Sequence, residues 1–257
     1  MPKIDSRAVV REGAELGEDV VVEPFAIVGP DVKIGRGTHV GSCALVTGNT
    51  VLGEDCRIAH NAVLGTDAQD LKYAGETTFL KVGDRVTVRE FATVNRATGE
   101  GEATVIGDGA YIMAYAHVAH NCVVGHEVIL GNAVNIAGHV AIDDYATVCG
   151  MTAVHQFVRV GRYSFTGGAS RLTKDVPPYV KVGGVPTRPI EINVVGLQRR
   201  GFAEPTLNAL RQCYRLLYLS DLNTTQALAR IREELDESGE VGELIEFIEV
   251  SQRGIIK

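Results

Sequence analysis

Seven histidines stand in the chain: His39, His60, His117, His120, His126, His139 and His155. Imidazole titrates near neutral pH, so a cluster of it suits proton transfer or the binding of a metal such as zinc. Spacing says which of the seven can cluster. If one turn of the structure consumes eighteen residues, His120 is repeated at Gly138, beside His139, and again at Gln156, beside His155. Neighbouring strands in a stack lie about 5 Å apart, so His120, His139 and His155 are expected along one edge. His117, three residues before His120, joins them. His39, His60 and His126 fall outside this set and are expected to line external edges without a role. Spacing alone leaves both chemistries open.

A shorter repeat, of six residues, is read from the sequence directly. Every sixth residue from Ile4 to Leu172 gives 29 positions, and 25 of them are Ile, Leu or Val. The failures are Asp70, Glu76, Glu100 and Thr166. Neither the 3.6-residue helical period nor simple strand alternation demands such selectivity at every sixth site. Gly follows the aliphatic at eleven sites, Gly35, Gly53 and Gly83 among them, which points to a turn that excludes a Cβ atom. Two residues before the aliphatic the side chain is usually small, as at Ala116, Cys122 and Ala146, which suits a tight coil. The break from Leu64 to Val82 spans eighteen residues, so a loop is expected to replace one coil there. A second interruption, 98–103, is expected to replace part of another. Excursions of this kind usually sit at functional edges.

Composition narrows the class. Lys and Arg number 25 against 32 Asp and Glu, a formal net charge of −7, and there is no long basic run. That argues against a nucleic-acid surface, where neutralising phosphate dominates affinity. No apolar stretch approaches the roughly 18–20 residues of a membrane span, and the first residues do not open a signal peptide. Five widely spaced cysteines with no CxxC pair fit a reduced, cytoplasmic chain in which thiols fill space. Only 6% of residues are aromatic and none is Trp, so the interior is expected to be narrow and built of small aliphatics.

Beyond Leu172 the repeat stops. Pro177, Pro178, Gly183, Gly184, Pro186 and Pro189 mark an extended crossing segment. From Pro205 the pattern is helical: Leu207, Leu210, Cys213, Tyr214 and Leu217 share one face, a second helix runs through Ala227 to Leu235, and a third spans 241–252. Two domains are expected, a repeat domain over 1–190 and a helical one over 191–257. The helices are expected to cap the coil stack, whose open ends expose unpaired strand edges.

The hexads resemble those of the hexapeptide-repeat acyltransferases. Specific words then resemble one family among them, the UDP-N-acetylglucosamine acyltransferases of lipid A synthesis. These are Gln69-Asp70-Leu71-Lys72-Tyr73, His117-Val118-Ala119-His120-Asn121-Cys122, Gly138-His139, Val154-His155-Gln156-Phe157, Asp175-Val176-Pro177-Pro178-Tyr179 and Gly196-Leu197-Gln198-Arg199-Arg200-Gly201-Phe202. The resemblance covers nearly the whole chain. It implies a mainly β fold, a left-handed parallel β-helix of eighteen-residue coils with a C-terminal α-helical cap. It also implies transfer of a 3-hydroxyacyl chain from acyl carrier protein to the 3-position of the UDP-linked sugar, by a homotrimer with sites between adjacent β-helices, needing no cofactor and no metal.

By the same resemblance, His120 is the general base and the backbone N–H of Gly138 the oxyanion donor. Asp70, Lys72, His117, His139 and Gln156 hold the sugar and its phosphate, with His155 on the same edge. Asn193 and Arg200 hold the nucleotide, Arg199 meets the carrier or its phosphopantetheine arm, and Gly168 lies along the acyl channel. Three positions depart from the family pattern. Asn121 stands where Asp is usual after the base, Asn95 replaces a histidine, and Val195 replaces a glutamate that would accept from ribose. They are expected to retune rate or affinity rather than abolish activity.

The sequence also admits alternatives. The γ-class carbonic anhydrases also stack hexapeptide coils and hold zinc through three histidines, a role His117, His120 and His139 could take with Zn–N of about 2.0–2.1 Å. The sister N-acyltransferase of the pathway carries an added N-terminal domain, which hexads starting at Ile4 speak against. A 3-amino sugar acceptor, giving an amide, is a variant of the main reading. A β-helix scaffold without activity needs neither the ionisable edge nor the Lys72 loop.

Overall fold

A computed structural model describes all residues from 1 to 257. Strands of mostly two residues wind into a left-handed parallel β-helix of triangular section. Its first face has eleven strands, from Lys3–Ile4 to Arg188–Ile192. The second has nine, from Val9–Val10 to Arg171–Leu172, and the third has eight, from Glu15–Leu16 to Arg159–Val160.

The hexad aliphatic points inward on every face. Ile112, Leu130, Val148 and Thr166 stand in one ladder on the first face, paired coil to coil and all fully buried. Thr166, a failure of the count, therefore fills the same inward place, with its hydroxyl buried and unpartnered. It is β-branched like Val, and shape rather than polarity qualifies it. The small residues two places earlier, among them Ala116, Cys122 and Ala146, are buried at the corners. The glycines after the aliphatic are needed for a different reason than turn geometry. Gly35 and Gly53 do not lie in the left-handed region, but a Cβ on either would come 2.5 Å from the backbone of the next coil. Coil-to-coil approach excludes the side chain.

The excursions add residues rather than replace coils. Phe79–Val82 pairs in register with Asn49–Leu52, thirty residues earlier instead of eighteen, so twelve are inserted and no coil is lost. Ala103–Ile106 pairs with Phe79–Val82, twenty-four residues on, an insertion of six. Both insertions are multiples of the hexad, which is why the inward register survives. Both also leave the prism at the corner between the second and third faces.

At the C-terminal end, Val180–Gly183 adds one more parallel strand to the first face, and Arg188–Ile192 turns back antiparallel to it. Four helices follow: α1 (Val194–Arg199), α2 (Glu204–Tyr218), α3 (Thr224–Glu234) and α4 (Glu240–Glu249). The sequence pattern anticipates α2 to α4, except that α4 ends at Glu249 rather than 252; it misses the short α1, which Asn193 caps. Cys213, Leu217, Ile231, Leu244, Ile245 and Ile248 form the helical core. The chain's tail closes the prism: Ile256 joins the main core, and buried Asp175 accepts from the Arg159 N–H at 2.8 Å and the Ser251 hydroxyl at 2.6 Å. The other end is bare, with Ile4 and Val9 exposed, so only one end carries the cover that edge-strand reasoning called for. No helix is long and apolar enough to cross a membrane.

Candidate active site

His120, Gly138 and Gln156 occupy the same place in three successive coils, two residues past the inward aliphatics Val118, Ile136 and Val154, at the corner where the excursions emerge. The next residues, Asn121, His139 and Phe157, all take left-handed backbone (φ 57°, 60° and 64°), the conformation that turns the corner. The His120 and His139 rings meet edge to face at 5.2 Å, and His139 stacks on Phe157 at 4.8 Å. His155 is at this corner too, but one place earlier in the hexad. It is exposed, and its Nδ1–H donates to the Gln156 carbonyl at 3.1 Å. The coil arithmetic thus finds the edge, while the ring that continues the stack is Phe157.

His120 is buried, and its Nε2 lies 4.0 Å from Asp70 Oδ2 of the first excursion. Its Nδ1 is 2.9 Å from Asn121 Oδ1. His117 projects from the second face and pairs with Thr93 Oγ1 at 2.7 Å. Burial holds the His117 pKa below the ordinary histidine value, with the neighbouring His120 adding to the effect. His139 is lowered as well, by burial first and His120 second, against the opposing pull of Asp70 and Glu102; Lys72 is near enough to lower it further. Both shifts favour the neutral ring. Cys122 is pushed up to about 12 by burial and its thiol donates to the Ala137 carbonyl at 3.1 Å, so it is no nucleophile. No group of three or more His, Cys, Asp or Glu is placed to hold a metal ion.

Gly138 lies against the imidazole. A Cβ there would come 2.5 Å from Cε1 and 2.6 Å from Nε2 of His120. Its N–H has no acceptor in the chain, nor do the equivalent N–H groups of His120 and Gln156. The corner between the third and first faces shows what such an N–H binds. There the corresponding groups of Glu54, Asp84 and His126 donate to the carboxylates of Asp84, Asp108 and Asp144 at 2.8, 2.9 and 2.8 Å. The backbone that takes an anionic oxygen at one corner is left open at the other, beside His120.

The excursions are tied down from beneath. Arg96, in His120's hexad place one coil below, binds the Asp67 carboxylate and the Tyr73 hydroxyl, which anchors the loop bearing Asp70 and Lys72. Asn95, below Ala119, donates to Thr66 Oγ1 at 3.0 Å and the Asp67 carbonyl at 2.6 Å. Asn95 is thus a loop anchor. Glu76 joins the two excursions, accepting from Thr98 Oγ1 and the Gly99 N–H, both at 2.8 Å. These and the Ala74 N–H hold its pKa at about 2.

The remaining candidates sit elsewhere. Asn193, Arg199 and Arg200 border a cleft of about 530 Å³ on the first face, with Tyr145, Tyr163 and Phe165 in its wall. Asn193 is engaged there, its Nδ2 donating to the Tyr163 carbonyl at 2.9 Å and its Oδ1 accepting from the Gly196 N–H at 3.3 Å. Arg200 lies over the Tyr145 ring at 4.5 Å. Val195 is 60% exposed on α1. The aromatic wall was missed in the sequence, although Glu127, Tyr145 and Tyr163 recur at eighteen residues. Gly168 is at the corner between the first and second faces, where a Cβ would lie 3.2 Å from the Gly150 carbonyl. The second face separates it from His120. One chain brings His117, His120, Gly138, His139, Asp70 and Lys72 together, but leaves the arginine cleft across the prism from them.

Comparison with known proteins agrees with the hexads and with the cap. The bacterial transferase hexapeptide model matches residues 13–48, 31–66 and 103–138, and the model of domain 2 of UDP N-acetylglucosamine O-acyltransferase matches 175–256. The acyl-[acyl-carrier-protein]–UDP-N-acetylglucosamine O-acyltransferase of Burkholderia lata is 47% identical over 194 residues, 74% of each chain. The UDP-N-acetylglucosamine acyltransferase of Francisella novicida superposes with a TM-score of 0.94 at 36% identity, over 98% of this chain and 93% of that one. The Campylobacter jejuni enzyme gives 0.91 at 36% identity, over 99% of both. With identity at this level across three quarters of its length and the whole fold shared, the chain belongs to the UDP-N-acetylglucosamine acyltransferase family.

Proposed function

We propose that the protein transfers a 3-hydroxyacyl chain from acyl carrier protein to the 3-hydroxyl of UDP-N-acetylglucosamine, the entry step of lipid A synthesis. The observation that carries this reading is the open N–H of Gly138 against the His120 ring, whose Nε2 has no hydrogen-bond partner. His120 Nε2 takes the sugar hydroxyl proton as its oxygen attacks the thioester carbonyl. The carbonyl oxygen, now an anion, is held by the Gly138 N–H. Collapse expels the thiolate of the phosphopantetheine arm, which recovers the proton from the imidazolium; an ester and a free thiol result. Asp70, Lys72, His117, His139 and Gln156 surround the acceptor sugar, with His155 at the rim. The thioester is already activated, so the reaction needs no protein nucleophile and no cofactor. Purified protein given UDP-N-acetylglucosamine and a mixture of 3-hydroxyacyl carrier thioesters should yield a singly O-acylated nucleotide sugar by mass spectrometry. No product from UDP-N-acetylglucosamine, with or without turnover of its 3-amino analogue offered in parallel, would reject the reading.

The arginine cleft then has to come from a second copy. Asn193 and Arg200 suit the nucleotide, since guanidinium presents a planar fork to phosphate, and Arg199 suits the carrier's arm. They serve this reaction when a neighbour's first face packs beside the His120 corner, as in a three-fold assembly. Gly168, beyond the second face, then leaves room for the acyl chain. Sedimentation under assay conditions should give three times the 27.5 kDa chain mass. Co-expressed His120→Ala and Arg200→Ala chains should recover part of the activity each lacks alone. A fully active monomer would overturn the shared site.

A further inference from the structure

We propose that the backbone of Thr98, acting through the Asn121 carboxamide, sets the tautomer of His120 and so makes it a base. The rate effects rest on the function proposed above; the tautomer itself does not. An amide beside a catalytic imidazole is ambiguous, because it carries a donor at one end and an acceptor at the other. If it offered its NH₂ to Nδ1, the ring proton would be forced onto Nε2 and the base would be blocked.

Thr98 removes the ambiguity from both sides. Its N–H donates to Asn121 Oδ1 at 2.9 Å, and its carbonyl accepts from Asn121 Nδ2 at 3.0 Å. Rotating the amide by half a turn would set donor against donor and acceptor against acceptor, losing both bonds. Oδ1 therefore faces His120 Nδ1, 2.9 Å away, and Nδ1 has to be the protonated nitrogen. The Asn121 N–H is itself fixed by Thr104 Oγ1 at 2.9 Å. The same geometry favours an amide over a carboxylate. A carboxylate at 121 would turn an acceptor oxygen toward the Thr98 carbonyl, whereas an amide satisfies it. Thr98 is in turn gripped by Glu76, so the loop that carries Asp70 and Lys72 also steadies the device that orients the base. Asn121 is a positioning residue in this scheme.

The test uses the full-length protein labelled with ¹⁵N-histidine, the His120 signals being assigned by their loss in His120→Gln. Near pH 8, well above the ordinary histidine pKa, wild-type His120 should show a protonated Nδ1 and an unprotonated Nε2. Asn121→Ala should move both signals toward a tautomer average and lower kcat about 10²-fold with little change in KM for the nucleotide sugar. Ala133 and Ala169 hold the same left-handed backbone (φ 55°), so alanine is accommodated at such a corner. Asn121→Asp should keep the Nδ1–H tautomer. It should also move the acidic limb of the kcat profile to higher pH, since a carboxylate stabilises the imidazolium. The charged and titratable groups otherwise facing His120 are Asp70 from the first excursion, His139 from the next coil and His117 from its own strand, with Lys72 and Glu102 acting on His139. All are unchanged in these variants. A wild-type Nε2–H tautomer, an Asn121→Ala protein with unaltered tautomer and kcat, or an unshifted Asn121→Asp limb would overturn the proposal. Wild-type protein with the expected tautomer but no acyl transfer would instead reject the proposed function and leave the Thr98 lock standing.

Discussion

Truncating His120 to alanine should lower kcat/KM by about 10²–10⁴-fold, the span that removal of a positioned general base costs, while the chain keeps its fold. The ring belongs to the corner, not to the apolar interior: its partners are Asn121, the His139 ring and the Asp70 carboxylate. Removing it opens no void among the inward aliphatics, so circular dichroism and the thermal transition should stay close to wild type. The neighbouring histidines do not substitute. Burial, which persists without His120, lowers the basicity of His117 and His139, and His117 Nδ1 is already paired with Thr93. Steady-state rates with a 3-hydroxyacyl carrier thioester give the measurement. Turnover within tenfold of wild type would remove His120 from the proton transfer.

Much of this arrangement is legible in the sequence, because the β-helix repeats its physical demands at a fixed interval. Each inward place accepts one kind of volume, and the hexad count found it wherever that volume was aliphatic. Thr166 escaped only because the count scored polarity, whereas the interior selects a β-branched shape. The excursions carried their lengths in the failures: Asp70 and Glu76 are two missed hexads for twelve inserted residues, and Glu100 is one for six. Reading eighteen residues as a lost coil mistook an insertion for a replacement, since both keep the register. Periodicity placed His120, His139 and His155 on one corner. It could not say that Phe157 rather than His155 would continue the stack, because adjacent places at a corner project differently. The Thr98–Asn121 pair was beyond reach altogether. It joins residues twenty-three apart across an insertion, and no coil step predicts such a distance. Asn193, Arg199 and Arg200 were found as types, but their separation from His120 appears only when the first face is seen to lie across the prism.

Gly138→Ala tests whether the base must sit where it does. The new Cβ would lie 2.5–2.6 Å from two atoms of the His120 ring, inside any permitted contact. Gly138 does not occupy the left-handed region, so alanine suits its backbone and the strain falls on the imidazole. The N–H proposed to face the thioester oxygen is retained. The substitution therefore moves the proposed proton acceptor and leaves the proposed oxyanion donor in place. Displacement on the order of 1 Å is enough to cost about 10²-fold in such a step, so kcat/KM should fall by at least that factor with the thermal transition little changed. The double variant separates this cause from a general disturbance. Once His120 is alanine there is no ring for the Cβ to push, and Gly138→Ala should cost almost nothing further, a strong departure from additivity. If the two losses instead multiplied, Gly138 would be acting through its own backbone rather than through the histidine beneath it.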